Sequence, residues 1–367
     1  MTALDHSPAA STDVPLADVR STGGALGTHT AGARVPDPNT TGALAVEPHP
    51  TGMRVPDFFI VGHPKSGTTA LYEALKRHPQ IHMCEEKEPW FFSPELRFRP
   101  PPRKPFAIPD TFEDYLELFA AARPEQCVGE ASTTYLWSHA AAGLIAQAQP
   151  DARIVAILRE PVSFLHSLHL QFLESYIETE SDFRRALALE PDRRAGRHIA
   201  RHSYWPQLLQ YSEHVCYVEQ LRRYHDSFPD EQILVLTYDD FRADNETAVR
   251  RVLRFLGVDD RMPLELTEAN LTVRARSQHL HQLVHAVSVG RGPASRGVKA
   301  GIQALIPRRM RRGALHLIRD RVLYGEAPPL EEGLMLELRR RFEPQVAALS
   351  EYLDRDLLTL WGYGDVG

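Results

Sequence analysis

The chain has 367 residues, 43% of them hydrophobic and 25% charged, an ordinary soluble composition with room for one large or two modest domains. Its formal net charge of −6 argues against a general nucleic-acid binder, though a local basic patch is compatible with it. Three cysteines, Cys84, Cys127 and Cys216, have neither metal-ligand spacing nor a disulfide framework, which suits a reducing, cytoplasmic compartment.

Residues 1–53 are rich in Ala, Thr, Gly, Pro and Ser, without periodicity and without an aromatic residue. Such a segment buries too little apolar surface to offset its ordering entropy. A disordered leader is expected there, followed by one domain over 54–367. The start carries no basic-then-apolar signal, and no apolar run approaches the roughly 18–20 residues that cross a bilayer.

The first ordered stretch reads Phe58-Phe59-Ile60-Val61-Gly62-His63-Pro64-Lys65-Ser66-Gly67-Thr68-Thr69. Its apolar run has no polar alternation and predicts a parallel strand buried on both faces. Leu71, Ala74 and Leu75 then have helical spacing. A small-residue loop between strand and helix start is an anion cradle, because free N–H groups converge there and the helix dipole adds positive charge. Lys65 brings a full charge; Ser66, Thr68 and Thr69 bring donors, and Gly67 the freedom to turn. The nucleoside-triphosphatase loop ends Gly-Lys-Ser/Thr, with its hydroxyl reserved for magnesium. Here lysine precedes glycine, and Pro64-Lys65-Ser66-Gly67-Thr68-Thr69 resembles the 5′-phosphosulfate loop of sulfotransferases that use 3′-phosphoadenosine 5′-phosphosulfate (PAPS).

Pro79 to Cys84 predicts a short second strand. The following Lys87-Glu88-Pro89-Trp90-Phe91-Phe92 is similar to the segment that holds the catalytic glutamate in heparan-sulfate-type and related bacterial sulfotransferases. The resemblance implies Glu88 as general base, and an aromatic cluster beside it would strip water from the carboxylate. Glu130 and His63 stand behind it as substitutes. Pro100 to Pro109 is too poor in N–H donors for regular structure and reads as a lid or acceptor rim. Thr111 to Phe119 predicts an amphipathic helix. Cys127-Val128-Gly129-Glu130-Ala131-Ser132 resembles the family's strand-to-loop segment, in which many relatives carry lysine where Ala131 stands. Glu130 is either an auxiliary base or acceptor ligand, or a buried carboxylate held by structural hydrogen bonds.

Ala152 to Leu158 is the next strong strand, and it ends in Arg159 where a magnesium-binding phosphotransferase would carry aspartate. Arg159 with Ser167, eight positions on, resembles the family's 3′-phosphate site: a guanidinium fork completed by a hydroxyl two helical turns later. Ser203 to about Phe228 reads as one long helix, with Tyr204 and Trp205 better suited to packing than to adenine. Gln232 to Tyr238 is a further strand. Asp239 and Asp240 then cap a helix that Gly257 stops. Asn270 to Ser277 falls where relatives place a basic loop over the nucleotide, and either Arg274 or Arg276 closes on the 3′-phosphate. Residues 291–321 are basic with interspersed apolar side chains, which allows peripheral contact with a membrane or an anionic acceptor. Glu351 to Trp361 is similar to the family's C-terminal helix and tryptophan ending.

Alternating strands and helices predict an α/β fold, a P-loop-type three-layer sandwich with a mostly parallel central sheet. Ligands sit at the carboxyl ends of such strands, where both the Lys65 loop and Arg159 fall. The resemblance implies a sulfotransferase. It further implies PAPS as co-substrate without a metal, Lys65 and Glu88 as the catalytic residues, and as acceptor a hydroxyl of a carbohydrate, glycolipid or secondary metabolite. Two other readings are a P-loop kinase, which lacks its Gly-Lys-Ser/Thr order and magnesium ligands here, and a non-catalytic nucleotide-binding protein.

Overall fold

A computed structural model of the chain describes residues 53–96, 109–175, 177–199, 205–264 and 329–364, and the backbone alone of 273–275 and 324–326. The elements in chain order are β1 (Phe58–Gly62), α1 (Thr68–Lys76), β2 (Ile81–Met83), α2 (Phe112–Glu117), β3 (Cys127–Ala131), α3 (Ala141–Ala148), β4 (Arg153–Leu158) and α4 (Pro161–Glu174). There follow α5 (Phe183–Ala188), α6 (Glu190–Arg194), α7 (Tyr217–His225), β5 (Ile233–Thr237), α8 (Tyr238–Ala243) and α9 (Asn245–Leu256). Last come the short antiparallel pair β6 (Val273–Ala275) and β7 (Tyr324–Glu326), and two C-terminal helices, α10 (Glu332–Tyr352) and α11 (Leu357–Leu360).

The five main strands form one all-parallel sheet in the order β2-β3-β1-β4-β5. β1 sits in the middle, pairing Phe58 with Gly129 on one side and with Arg153 on the other. Its side chains divide cleanly between the two faces. Phe58 and Ile60 pack under α1 and α9; Phe59 and Val61 pack into the larger core on the side of α3, α4, α7 and α10. Burial on both faces is why the strand reads as a continuous apolar run. Gly62 ends the strand in a left-handed conformation, φ 145°, where a Cβ would lie 2.7 Å from the Ile157 carbonyl oxygen. The close approach of β1 to β4 therefore requires glycine.

Acidic side chains fix the helix starts after β4 and β5. Glu160 accepts from the N–H groups of Val162 (3.0 Å) and Ser163 (2.7 Å) at the head of α4, which also has proline at its first position. Thr237 and Asp240 form a reciprocal capping box on α8, as the sequence led us to expect of that aspartate. The C-terminal segment locks both starts. Arg355 holds the Asp240 carboxylate with two hydrogen bonds (2.9 and 2.7 Å), the Trp361 indole donates to Asp239 (2.8 Å), and Tyr363 donates to Glu160 (2.7 Å).

The long helix expected to Phe228 is broken. Pro206–Leu209 and Tyr211–Val215 are 3-10 turns, and only Tyr217–His225 is α-helical. The reason lies in a partner far along the chain: the Glu190 carboxylate accepts from Ser212 N–H (2.6 Å) and Ser212 Oγ–H (2.8 Å), while Gln210 donates to the Glu190 carbonyl. The Ser212 N–H bond takes the place of that amide's i→i−4 bond in a continuous helix. Residues 1–52 of the leader, most of the Pro100–Pro109 connector, Ser203, Tyr204, Arg276 and the basic 291–321 stretch lie outside the described residues. No helix among the described residues is long and apolar enough to cross a membrane.

Candidate active site

The loop between β1 and α1 has the backbone and side-chain features of an anion site. Lys65 (φ 65°) and Gly67 (φ 90°) are both left-handed, a backbone form that gathers N–H groups into a concave nest. Gly67 precedes α1 and supplies no side-chain cap, so the first-turn amides lack an intrahelical acceptor. Ser66 is fully buried, and its Oγ has no hydrogen-bond partner. A buried hydroxyl without a partner costs free energy unless a ligand supplies one. Burial, the largest influence, pulls the Lys65 pKa below the ordinary lysine value; Glu174 opposes it and Arg159 adds to it. Two desolvated cations that repel one another mark a place where negative charge is welcome.

Arg159, at the carboxyl end of β4, closes the other side of the loop. Its guanidinium donates to the Lys65 carbonyl oxygen (2.7 Å) and to Ser163 Oγ (3.2 Å), and it lies over the Tyr238 ring, 4.7 Å from the centroid. The same ring is 3.4 Å from where a Cβ on Gly67 would sit. Tyr217 donates to the Arg159 carbonyl (2.7 Å), fixing the backbone. Burial lowers the Arg159 pKa, offset by Tyr238, Glu160, Tyr217 and Asp239. Ser167 is buried two turns along α4; the hydroxyl that meets the guanidinium is that of Ser163.

Glu88 lies between β2 and the aromatic run. It is left-handed (φ 63°), as is Trp90 (φ 52°), and its N–H donates to the Ala131 carbonyl (3.0 Å). Its side chain is partly buried, at 28% exposed. The two left-handed residues turn the chain so that Phe91 and Phe92 enter the core against Tyr115, Phe59 and Tyr135. The carboxylate stands 3.6 Å from Lys87 Nζ, with Thr133 Oγ–H donating to Oε1 at 3.4 Å. Lys87 in turn donates to Thr69 Oγ1 (2.8 Å) in the first turn of α1. The anion loop and Glu88 are thus neighbours.

Glu130 and His63 are interior groups. The Glu130 carboxylate accepts from Ser132 Oγ (2.5 Å), Tyr115 (2.6 Å) and Tyr135 (3.2 Å), and burial pushes its pKa up to about 7 against those hydrogen bonds. Ser132 Oγ also accepts from the Trp90 N–H (3.3 Å) and the Tyr135 hydroxyl from the Phe92 N–H (3.2 Å). His63 is packed on Phe164 and Tyr217 and donates its Nε2–H to Gln220 (2.8 Å). Burial, with His214 nearby, lowers its pKa to about 3, so it remains neutral. Among the described residues no group of three or more His, Cys, Asp or Glu is arranged to hold a metal ion.

The family model for the sulfotransferase family matches residues 56–262, more than half of the chain. The chain belongs to the sulfotransferase family. It is 27% identical over 254 residues to carbohydrate sulfotransferase 15 of Mus musculus and of Homo sapiens, covering 56% of this chain and 44% of each relative. The chain therefore spans less than half the length of these relatives. The crystal structure of a sulfotransferase from Alicyclobacillus acidocaldarius superposes with a TM-score of 0.59 at 27% identity, covering 84% of this chain and 99% of that one. This member of the family thus has the expected α/β fold, and the kinase alternative is not favoured.

Sequence reasoning had placed the loop and Arg159 at one end of the sheet, and the structure brings them into hydrogen-bond contact. It missed Lys87, Thr133, Ser163 and Tyr238. Only Ser163 carried a usable signal, one helical turn after Arg159. The others meet the site through strand order and left-handed turns. Arg274 lies on β6, where only the backbone is described.

Proposed function

We propose that this chain transfers the sulfuryl group of PAPS to a hydroxyl of a carbohydrate. The observation that carries the reading is the uncapped, left-handed loop with its buried, partnerless Ser66 hydroxyl, set beside two desolvated cations. The 5′-phosphosulfate would be held by the loop amides, Ser66, Thr68, Thr69 and Lys65; Arg159, with Ser163 or Ser167, would take the 3′-phosphate. In the reaction the acceptor oxygen forms a bond to sulfur while the sulfur bond to the 5′-phosphate oxygen breaks. That oxygen keeps the electron pair, stabilised by Lys65 and the α1 amides, and the hydroxyl proton passes to Glu88. The likeness to carbohydrate sulfotransferase 15 supports a carbohydrate acceptor.

The test is a thermal-shift comparison of adenosine 3′,5′-bisphosphate (PAP) with ATP, each with and without magnesium, followed by labelled PAPS against a panel of desulfated glycans. Stabilisation by PAP without added metal, and label transferred to a glycan, are expected. Equal stabilisation by ATP, or a strict need for magnesium, would return the chain to the phosphotransferase reading.

A further inference from the structure

We infer that Lys87 is a second cation for the transferred sulfuryl group, held on Glu88 until the donor arrives; this rests on the sulfotransferase reading above. Successive side chains of an extended strand point to opposite sides. At Lys87 and Glu88 the left-handed backbone of Glu88 (φ 63°) accompanies the reverse: Nζ and Oε1 of these neighbours stand 3.6 Å apart. Lys87 Nζ also touches Thr69 Oγ1 at 2.8 Å, so the ammonium bridges the anion loop and the base. The side chain is 23% exposed, open enough for a ligand to reach it.

The chemistry fixes what lies between those two points. The base must touch the acceptor hydroxyl, that hydroxyl must reach sulfur, and the phosphate beyond the sulfur rests on the loop. The sulfuryl group therefore passes between the α1 first turn and Glu88, where Lys87 stands. Lys65 serves the 5′-phosphate on the loop, and Arg159, tied to the Lys65 carbonyl, the 3′-phosphate. Without donor, Lys87 pairs with the carboxylate. When the sulfuryl oxygens are present, they compete for the ammonium as it leaves Glu88 free to take the acceptor proton. During transfer Lys87 changes no bond of its own; it neutralises charge on the sulfuryl oxygens while the sulfur–phosphate bond breaks and the sulfur–acceptor bond forms.

PAP has no sulfuryl group, and this separates the role from general nucleotide binding. Lys87→Gln should weaken PAPS about tenfold or more while leaving PAP affinity unchanged, and lower kcat about 10²-fold; Lys87→Arg should restore part of both. In the unaltered protein, acylation of the Lys87 amine, read by mass spectrometry, should be slowed by PAPS and much less by PAP. This second measurement needs no variant to fold. Equal losses of PAPS and PAP affinity, or equal protection by the two, would make Lys87 a clamp on the loop and overturn the proposal. If the unaltered protein bound neither nucleotide, the sulfotransferase reading itself would fall, and Lys87 with it.

Discussion

Glu130 offers a test whose size follows from the structure. Its carboxyl is wholly buried, and its pKa rises from 4.5 to about 7 because burial outweighs the hydrogen bonds from Ser132, Tyr115 and Tyr135. The folded state therefore keeps a proton that the unfolded chain releases near 4.5. Between that value and about 7 the native state binds more protons, so this group's contribution to stability is full below 4.5, falls as pH rises, and levels off above 7. At 1.36 kcal/mol per pKa unit, the span corresponds to about 3 kcal/mol. Glu130→Gln keeps a neutral group of the same shape and removes the titration. Urea unfolding of both proteins from about pH 5 to about pH 8 should show the variant gaining on the wild type by most of that amount. His63 and His214, held near 3 and 4 by burial, act with the opposite sign: their neutral folded forms gain stability as pH rises to the ordinary histidine value. They are common to both proteins and cancel in the difference. An infrared band of a protonated carboxylic acid, lost as pH passes about 7, checks the same group in the wild type. Parallel pH curves for the two proteins would refute the assignment of a buried, protonatable Glu130.

Three further outcomes follow from the site. Glu88→Gln should cut turnover about 10²–10⁴-fold while calorimetry finds PAP affinity unchanged; near-full turnover would remove Glu88 as the base. Arg159→Ala should weaken PAP at least about tenfold more than adenosine 5′-monophosphate, the worth of one charge-assisted contact. Equal losses would leave Arg159 only its tie to the Lys65 carbonyl. Ser132→Ala unhooks the Trp90 N–H from the Glu130 carboxylate and should cost about 1 kcal/mol of stability, with kcat falling further than PAP affinity. A variant with unchanged kcat would show that the Glu88 turn keeps its geometry without this support.

The parallel core was legible because strands buried on both faces leave unbroken apolar runs such as Phe58-Phe59-Ile60-Val61. The anion loop was legible because its chemistry is local: a glycine, hydroxyls, a lysine and a helix start occur within seven residues of sequence. Arg159 could be placed because a strand end is a fixed position in an α/β sheet. Distance along the chain hid the rest. Nothing near Ser212 announces that Glu190 will take its N–H and break the helix. Nor does Lys87-Glu88 announce that Phe91 and Phe92 turn inward and leave the carboxylate beside a cation, since that depends on φ at Glu88 and Trp90.

Those left-handed residues explain why a carboxylate is buried at Glu130 at all. Among the described residues five non-glycine residues have positive φ, and three of them, Lys65, Glu88 and Trp90, lie on the two loops that leave β1 and β2. Each such residue costs about 1–2 kcal/mol and persists only where its surroundings hold it. β3 lies between β1 and β2 in the sheet, so its carboxyl end is the part of the chain that can reach both loops. It holds the second loop at three successive points: Ala131 takes the Glu88 N–H, Ser132 the Trp90 N–H and Tyr135 the Phe92 N–H. Ser132 and Tyr135 are oriented to accept because each donates its own hydroxyl proton to Glu130. A smaller or apolar side chain at 130 would leave those hydroxyls free to rotate and the turn without its anchors. Glu130 is thus a positioning residue: the hydrogen bonds it accepts from Ser132 and Tyr135 hold the anchors that keep Glu88 next to Lys87 and the anion loop.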